Sequence, residues 1–379
     1  MRILLALCAS VSLAAIAVAQ DDDDRGEGSA APVGFDPTAG IDITEATRNI
    51  VEAAIAQAEL YAERPDDYEP PRMSNGKPNL QGNWSTASHT GMTRGRGFDS
   101  LVMSQEQAVQ AIAQHPQNIR QATDDGQSLD DGLLNGADLA RGRGYNSFWI
   151  DPGTSYAVVK GEWRTSWITY PEDGQIPALT EEARAERAAM GGGRRGSGYD
   201  NPEERGLAER CIMLPVAGPP LGQYLYNNNI SIVQTDDHVV IMAEMIHDAR
   251  IVRLNAEHND NGVQPWFGDS IGWWDGDTLV VETTDINPEQ RRGRMFFSED
   301  AVITERFSRW NDYQLLYEFA VEDPAYEESW GGEISLNRND DGVFEYACHE
   351  GNHGMVGILA GGRRQDGSLD AQESGSGEE

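Results

Sequence analysis

From about residue 150 onward, apolar and polar residues alternate in short runs that end at residues favouring tight turns. A period of two is typical of β-strands that bury one face. The strands predicted in this way cover 155–159, 163–169, 230–234, 239–254, 278–283, 302–310, 314–321, 333–336 and 343–348. Strands at this spacing predict a mainly β protein, either an antiparallel closed barrel of lipocalin-like type or a related sandwich, with N-terminal helical additions.

Three segments show the apolar spacing of amphipathic helices instead. They lie at 42–63, 104–116 and 180–190. Asp42 or Thr44 can cap the first of these helices, and Ser104 can cap the second. The first helix belongs to an N-terminal helical extension at 42–77, which we expect to pack on the exterior of a single β-barrel-like domain at 78–362.

The first residues have the pattern of an export signal. Arg2 precedes an apolar run at 3–18, and Ala17-Val18-Ala19 forms an A-x-A cleavage site. Residues 1–19 are therefore predicted to be a signal peptide, which places the protein in the periplasm or outside the cell. The residue before Cys8 is too large for a lipoprotein signal, so no membrane anchor is expected.

The chain is strongly acidic, with 63 acidic against 29 basic residues and a formal net charge of −34. The negative electrostatic field of such a chain repels nucleic acid and anionic lipid, so neither is an expected partner. The expected partner is a small-molecule ligand or substrate. The segment 20–41 is acidic and rich in Gly and Ala, which predicts disorder. The segment 363–379 is predicted to be a polar tail.

Two cysteines follow the predicted signal peptide, Cys211 and Cys348. A disulfide between them can persist in an oxidising compartment, and it would close a loop of more than a hundred residues. Two buried free thiols are the alternative interpretation. The sequence leaves both open.

The densest chemistry lies at 244–250, Glu-Met-Ile-His-Asp-Ala-Arg, inside the long predicted strand. Strand alternation places Glu244, Asp248 and Arg250 on one face and His247 on the other. We predict His247 as the catalytic acid/base, oriented by Glu244 or Asp248, with Arg250 binding a substrate oxygen or carboxylate. A structural polar network is the alternative, because buried polar groups must be paired.

Other polar and aromatic residues are candidate substrate ligands. Asn228 and Asn229 can supply amide donors, Trp266 and Trp273 can wall an aromatic or sugar-binding pocket, and a turn at 266–274 includes Asp269. His349 and Glu350 are expected to close the mouth of the barrel. Turn formation and core packing are the alternatives for these residues.

Two short motifs match hydrolase patterns. His349 to His353 matches H-E-x-x-H, a zinc pattern that requires both histidines on one helical face, but Gly351-Asn352 disfavours a helix. Gly268 to Gly272 matches G-x-S-x-G, but a hairpin follows it where a nucleophile elbow needs a helix. We therefore expect no bound metal or other cofactor, and zinc held by His349 and His353 is a minor alternative.

A series of motifs resembles one protein family. They are YNSFW (145–149), RTSWI (164–168), ERCI (209–212), YNNN (226–229), EMIHDARI (244–251), GDSIGWWDGDTLVVETT (268–284) and EYACHEGN (345–352). The chain is similar, over roughly 80–362, to a widespread group of secreted bacterial proteins with a PDLxGxW-type start. His353 departs from the Tyr expected after HEGN. Gly82-Asn83-Trp84 also resembles the opening strand of lipocalin-like barrels. These resemblances imply how motifs and strands are arranged along the chain, and they imply no particular reaction.

Together these patterns predict a periplasmic, cofactor-independent acid–base enzyme of the lyase, hydratase or isomerase type. Its substrate is expected to be a small organic molecule, aromatic or sugar-like, bound inside the barrel. One alternative is a non-catalytic lipocalin-like carrier, whose lumen would be lined by apolar side chains. The second alternative is a serine or zinc hydrolase.

Overall fold

A computed structural model of the protein describes residues 45–122, 152–189, 199, 201–214, 216–224, 226–287 and 295–365. The predicted signal peptide, the acidic segment, the YNSFW motif and the chain beyond 365 lie outside these residues. The helices are α1 (Glu45–Ala62), α2 (Gln105–Gln114), α3 (Pro116–Ala122), α4 (Glu181–Ala189) and α5 (His353–Gln365). The strands are β1 (Gly82–Ser85), β2 (Val102–Met103), β3 (Val158–Val159), β4 (Glu162–Arg164), β5 (Ile168–Tyr170), β6 (Asn229–Gln234), β7 (His238–Ala243), β8 (Ala249–Leu254), β9 (Asp269–Asp275), β10 (Thr278–Thr284), β11 (Val302–Arg309), β12 (Gln314–Glu322) and β13 (Trp330–Asn339).

Nine strands close into a barrel, in the order β1-β6-β7-β8-β9-β10-β11-β12-β13, and β13 pairs back with β1. β5 also pairs with β13, at Gly331 and Gly332, whereas β1 pairs with the other end of that strand at 337–339. The predicted closed barrel is confirmed. The antiparallel prediction holds for every neighbouring pair of the ring except β8 and β9, which run parallel with Val252 opposite Ser270. A parallel pair needs a crossover, and residues 255–268 make it without a helix.

The barrel interior is a packed hydrophobic core. Along β12, residues two apart point inward and are buried: Leu315, Tyr317, Phe319 and Val321. Trp84, Trp167 and Trp330 are among the largest fully buried side chains of the same core. Because these side chains fill the space inside the ring, the barrel does not enclose a ligand-sized lumen among the described residues. The substrate predicted to bind inside the barrel therefore has no room there.

The helical extension helps to build a second core. α1 and α2 pack with the small sheet β2-β4-β3 around residues that include Val51, Ile112 and Trp163. Ser104 caps α2 in a capping box with Gln107, as its position in the sequence predicts. The predicted first and third helices are confirmed as α1 and α4, and the cap of α1 lies outside the described residues.

The structure differs from the predicted elements in several places. The long strand at 239–254 is a hairpin of β7 and β8, because the chain reverses at 244–248. The strand at 343–348 is irregular, and β13 is correspondingly longer than the predicted 333–336. α5 was not predicted, and it extends past residue 363, where the polar tail was expected to begin. No described helix is both long enough and apolar enough to traverse a bilayer.

Candidate functional site

The hairpin between β7 and β8 turns through a strained backbone. Ile246 (φ 61°, ψ 6°) and His247 (φ 49°) both lie in the left-handed region. A β-branched residue rarely adopts this conformation, which costs about 1–3 kcal/mol. Burial offsets this cost, since Met245 and Ile246 are 0% and 5% exposed. Two apolar residues therefore hold a turn that no Gly, Asn or Pro marks in the sequence.

Glu244 fixes this turn to neighbouring segments. Its carboxylate accepts hydrogen bonds from Nδ2 of Asn229 (2.7 Å) and from the backbone N–H of Phe344 (3.2 Å). Asn228 is saturated within its own loop, with Oδ1 and Nδ2 bonded to the backbone of Tyr224. Glu244, Asn228 and Asn229 thus form hydrogen bonds within the fold, and their predicted catalytic and ligand roles stay predictions.

His247 lies on the surface, not in a barrel lumen. Its side chain is exposed, and its Nδ1 lies 3.3 Å from the carbonyl oxygen of Tyr346. Because a carbonyl only accepts, Nδ1 carries the proton, and in the neutral ring Nε2 is left as the acceptor. The predicted general acid/base inside a barrel is therefore wrong, since the hairpin turns His247 outward.

Asp248 is the perturbed group of the turn. Its carboxyl is half-buried, and its Oδ2 is buried without a hydrogen-bond donor among the described residues. Burial raises the pKa of Asp248 from 3.8 to about 6, although the charge of His247 and the backbone of Leu214 oppose the rise. An unsatisfied carboxylate that titrates near neutral pH is suited to proton transfer.

A small apolar cluster, which we call the turn core, surrounds the strained turn. Its members come from the loop before β6, the turn itself and the segments beside Phe267 and Tyr346. They are Met213, Val216, Ala217, Ala243, Met245, Ile246 and Phe267, with Leu207, Leu214, Tyr224, Tyr226, Trp266, Tyr346 and Cys348 packed around them. The structure thus brings the 244–248 turn together with the segments around 266 and 348, as a site recruited from several strands requires.

Two features stabilise the rim of the turn core. Cys211 and Cys348 form a disulfide with a Cα–Cα distance of 5.6 Å, which settles the open alternative in favour of the bridge. The rings of Tyr224 and Tyr226 lie 5.4 Å apart, and those of Tyr226 and Tyr346 lie 6.3 Å apart. These tyrosines and Trp266 are half-buried, so each presents part of an aromatic ring to solvent.

Arg250 does not belong to this site. It points into the barrel, where its guanidinium pairs with the fully buried carboxylate of Glu305. The hydroxyl of Tyr317 donates to the same carboxylate at 2.7 Å and accepts the backbone N–H of Leu221 at 2.8 Å. The predicted substrate-binding role of Arg250 is therefore wrong, because both charges are committed to each other.

Asp269 anchors a second polar network, on the outer face of β8, β9 and β10. Its carboxylate accepts hydrogen bonds from Arg253 (2.9 Å), Asn259 (2.8 Å) and Nδ1 of His258 (2.9 Å). Nε2 of His258 faces Glu282 at 3.2 Å. Burial alone would raise the pKa of Asp269, but the hydrogen bonds outweigh it and lower that pKa. Each of these side chains has a hydrogen-bond partner, so the network fixes the crossover loop at 255–268 to the outer face of the barrel.

The sequence did not single out His258, nor a pair of histidines near α3, of which His89 is buried and His115 is half-buried. The rings of His89 and His115 stack 3.5 Å apart, and Nε2 of His89 contacts Oδ1 of Asn118 at 3.3 Å. Burial and the neighbouring His115 lower the pKa of His89 to about 3, so this imidazole stays neutral. No local motif signals such a cluster, since its members come from separate loops and helices.

The remaining residues predicted to bind substrate or metal do not lie inside the turn core. Trp273 is 38% exposed on β9, and His349 and Glu350 are exposed in the turn before α5. Ser270 is buried within β9 and bonded to Thr283, so the nucleophile elbow is missing. His349 precedes the helix that His353 begins, so the two do not share a helical face. Among the described residues, no group of three or more acidic, His or Cys side chains is arranged for a metal ion.

Comparison of the chain with protein-family models, with curated proteins and with solved structures finds no match. The resemblance to a group of secreted bacterial proteins therefore stays a prediction.

Proposed function

We propose that the protein is a periplasmic acid–base enzyme acting on a small organic molecule at the 244–248 turn. The observation that carries this proposal is the carboxyl of Asp248, with one oxygen unsatisfied and a pKa of about 6. Above that pH the group is ionised and can accept a proton from a substrate carbon or hydroxyl. The strain stored at Ile246 is in keeping with a functional turn.

The groups around Asp248 supply the other roles. Nε2 of His247 is exposed on the adjacent residue, where it can take or return a second proton. The half-buried rings of Tyr226, Tyr346 and Trp266 can stack on an aromatic ring or on the apolar face of a sugar. If Asp248 removes a proton and the proton is returned to another atom of the substrate, the reaction is an isomerisation. If the deprotonated substrate instead loses a leaving group, the reaction is an elimination. The reaction class is therefore that of a lyase, hydratase or isomerase.

The carrier alternative is less well supported. A lipocalin-like carrier needs an open apolar lumen, and this barrel is filled by its own side chains. The disulfide supports the periplasmic location, because such bonds persist in oxidising compartments. The serine and zinc alternatives lack the helical geometry that each mechanism requires.

Deuterium exchange tests the proposal even when the product is unidentified. A panel of hydroxy acids, unsaturated acids, aromatic acids and sugars is incubated with enzyme in heavy water and followed by proton NMR. We expect proton exchange or turnover of at least one class of compound in the panel. The rate of that reaction should fall 10²- to 10⁴-fold in the Asp248→Asn variant.

Asp341→Asn is the matched control, because it removes an exposed carboxylate from a nearby turn, and it should leave the rate unchanged. Equal rates for wild type and Asp248→Asn would refute the role of Asp248. A carbon-13 titration that gives the Asp248 carboxyl a pKa near 3.8 would also refute this role.

A further inference from the structure

A cleft of about 390 Å³ lies between α4, the segment before it and the barrel. Ile176, Leu179, Phe296 and Tyr326 provide its apolar wall, and Arg184 and Arg187 lie at its edge. Clefts of 300 to 1,000 Å³ are the size that small ligands occupy. This cleft shares no residue with the 244–248 turn or the turn core.

The walls of the cleft are held in place by hydrogen bonds. The backbone N–H of Thr180 donates to Ala325 (2.9 Å), and that of Glu327 donates to Ala178 (3.0 Å). The hydroxyl of Tyr326 donates to the carbonyl of Phe296 at 2.8 Å. The segment before α4 is thus fastened to the β12–β13 loop, and the cleft exists before a ligand arrives.

The charge of the cleft is opposite to that of the whole chain. Arg184 and Arg187 are three residues apart on α4, so they project from the same side of the helix. Neither guanidinium forms an ion pair or hydrogen bond with the described part of the chain, although the chain carries a net charge of −34. The described lining contains no carboxylate.

The carboxylate of Asp323 acts on one residue of the cleft wall. Burial raises the pKa of the Tyr326 hydroxyl, the carboxylate of Asp323 adds to the rise, and the Phe296 backbone and Arg187 oppose it. This carboxylate is already bonded to Ser298 and to the N–H of Ala325. It is not part of the lining of the cleft.

We propose that this cleft binds a small carboxylate with an apolar body, such as a medium-chain fatty acid or an aromatic acid. The hydrocarbon or ring would cover the half-buried Ile176 and Leu179, and the carboxylate would lie between Arg184 and Arg187. A guanidinium matches a carboxylate geometrically with two parallel hydrogen bonds. The volume limits the ligand to a short chain or one or two rings.

Isothermal titration calorimetry on the full mature chain tests the site, with octanoate and phenylacetate as probes and octanol as the neutral analogue. Both acids should bind saturably with one site per chain, and octanol should bind at least tenfold more weakly. The Arg184→Gln/Arg187→Gln variant should lose at least tenfold in affinity for the acids. Arg96→Gln, which removes an exposed arginine outside the cleft, should bind as wild type.

The cleft assignment and the proposed enzyme can fail separately. Asp248→Asn should bind octanoate as wild type does, since Asp248 lies outside the cleft. A second variant, Ile176→Trp, fills the cleft and should abolish binding while circular dichroism shows an intact fold. No saturable binding of either acid at millimolar concentration would overturn the proposal. So would equal affinity for octanol, or full affinity in the double arginine variant.

Discussion

Inside the barrel, Nη2 of Arg250 lies 3.0 Å from Oε1 of Glu305, and both side chains are almost completely buried. The pair crosses the interior from β8 to β11 and is extended by the hydroxyl of Tyr317. Since Nε of Arg250 has no hydrogen-bond partner in the described structure, the pair is only partly compensated for its desolvation. Removal of either charge leaves the other uncompensated in the core.

We predict that Arg250→Ala and Glu305→Ala each lower the free energy of unfolding by about 3–5 kcal/mol, as broken buried pairs do. The double variant Arg250→Met/Glu305→Leu should be less destabilised than either single variant, because no buried charge remains. Urea denaturation measures all three. Arg306→Ala, which breaks the exposed pair with Asp275, should cost at most about 1 kcal/mol. A cost for Arg250→Ala no larger than that for Arg306→Ala would show that the buried pair does not stabilise the barrel.

Asp248→Asn is expected to stabilise the protein at neutral pH. The folded state raises the pKa of this carboxyl from 3.8 to about 6, so between these values the fold holds more protons and stability falls as pH rises. The difference would correspond to roughly 3 kcal/mol for a fully buried group, and partial exposure reduces it to about 1–2 kcal/mol.

Denaturation of both proteins from pH 3 to pH 8 measures this gain. Below pH 4 the variant and wild type should have nearly the same free energy of unfolding. Above pH 6 the variant should be more stable by about 1–2 kcal/mol, the full amount given above. Asp341→Asn, at an exposed side chain, is the control for the loss of one carboxylate. A variant less stable than wild type at pH 7 would contradict the unsatisfied state of the Asp248 carboxyl.

The disulfide should contribute substantially to stability. Cys211 and Cys348 are 137 residues apart, and a loop of that length corresponds to about 5 kcal/mol in the chain-entropy model. Cys211→Ala/Cys348→Ala should therefore lose about 2–5 kcal/mol, the range observed for native bridges. Wild type with a reductant should show the same loss, and the variant should not respond to the reductant. An unchanged unfolding midpoint in the double variant would rule out the bridge as a major constraint.

Asp269→Asn should loosen the crossover loop at 255–268. The carboxylate accepts charged and backbone donors, so its loss should cost about 1–3 kcal/mol at pH 7. Because the fold lowers the pKa of Asp269, this stabilisation is present above the unfolded pKa and is lost as pH falls through the folded one. Hydrogen exchange at the Asn259 N–H should accelerate in the variant. Asp277→Asn, at an exposed pair with Arg72, should leave that exchange unchanged.

The 244–250 stretch shows why the chemistry was harder to predict than the fold. Its composition suggested one strand with a lumen-facing His247, because Met245 and Ile246 continue an apolar run. In the structure these two residues are buried at a turn, by contacts with Phe267 and residues distant in the chain. Tertiary burial outweighs the preference of Ile246 for extended backbone, and the faces of all later residues change with it.

The sequence by itself determined the features that depend on near neighbours. Period-two alternation and turn residues at 235–237, 275–277 and 311–313 predict most strands, and a helix cap such as Ser104 acts within one turn. Tertiary structure alone decided the parallel pairing of β8 with β9, the bridge between Cys211 and Cys348, and the unsatisfied carboxyl of Asp248. Each of these depends on groups far apart in the chain, and no local pattern encodes which of them closure of the barrel brings together.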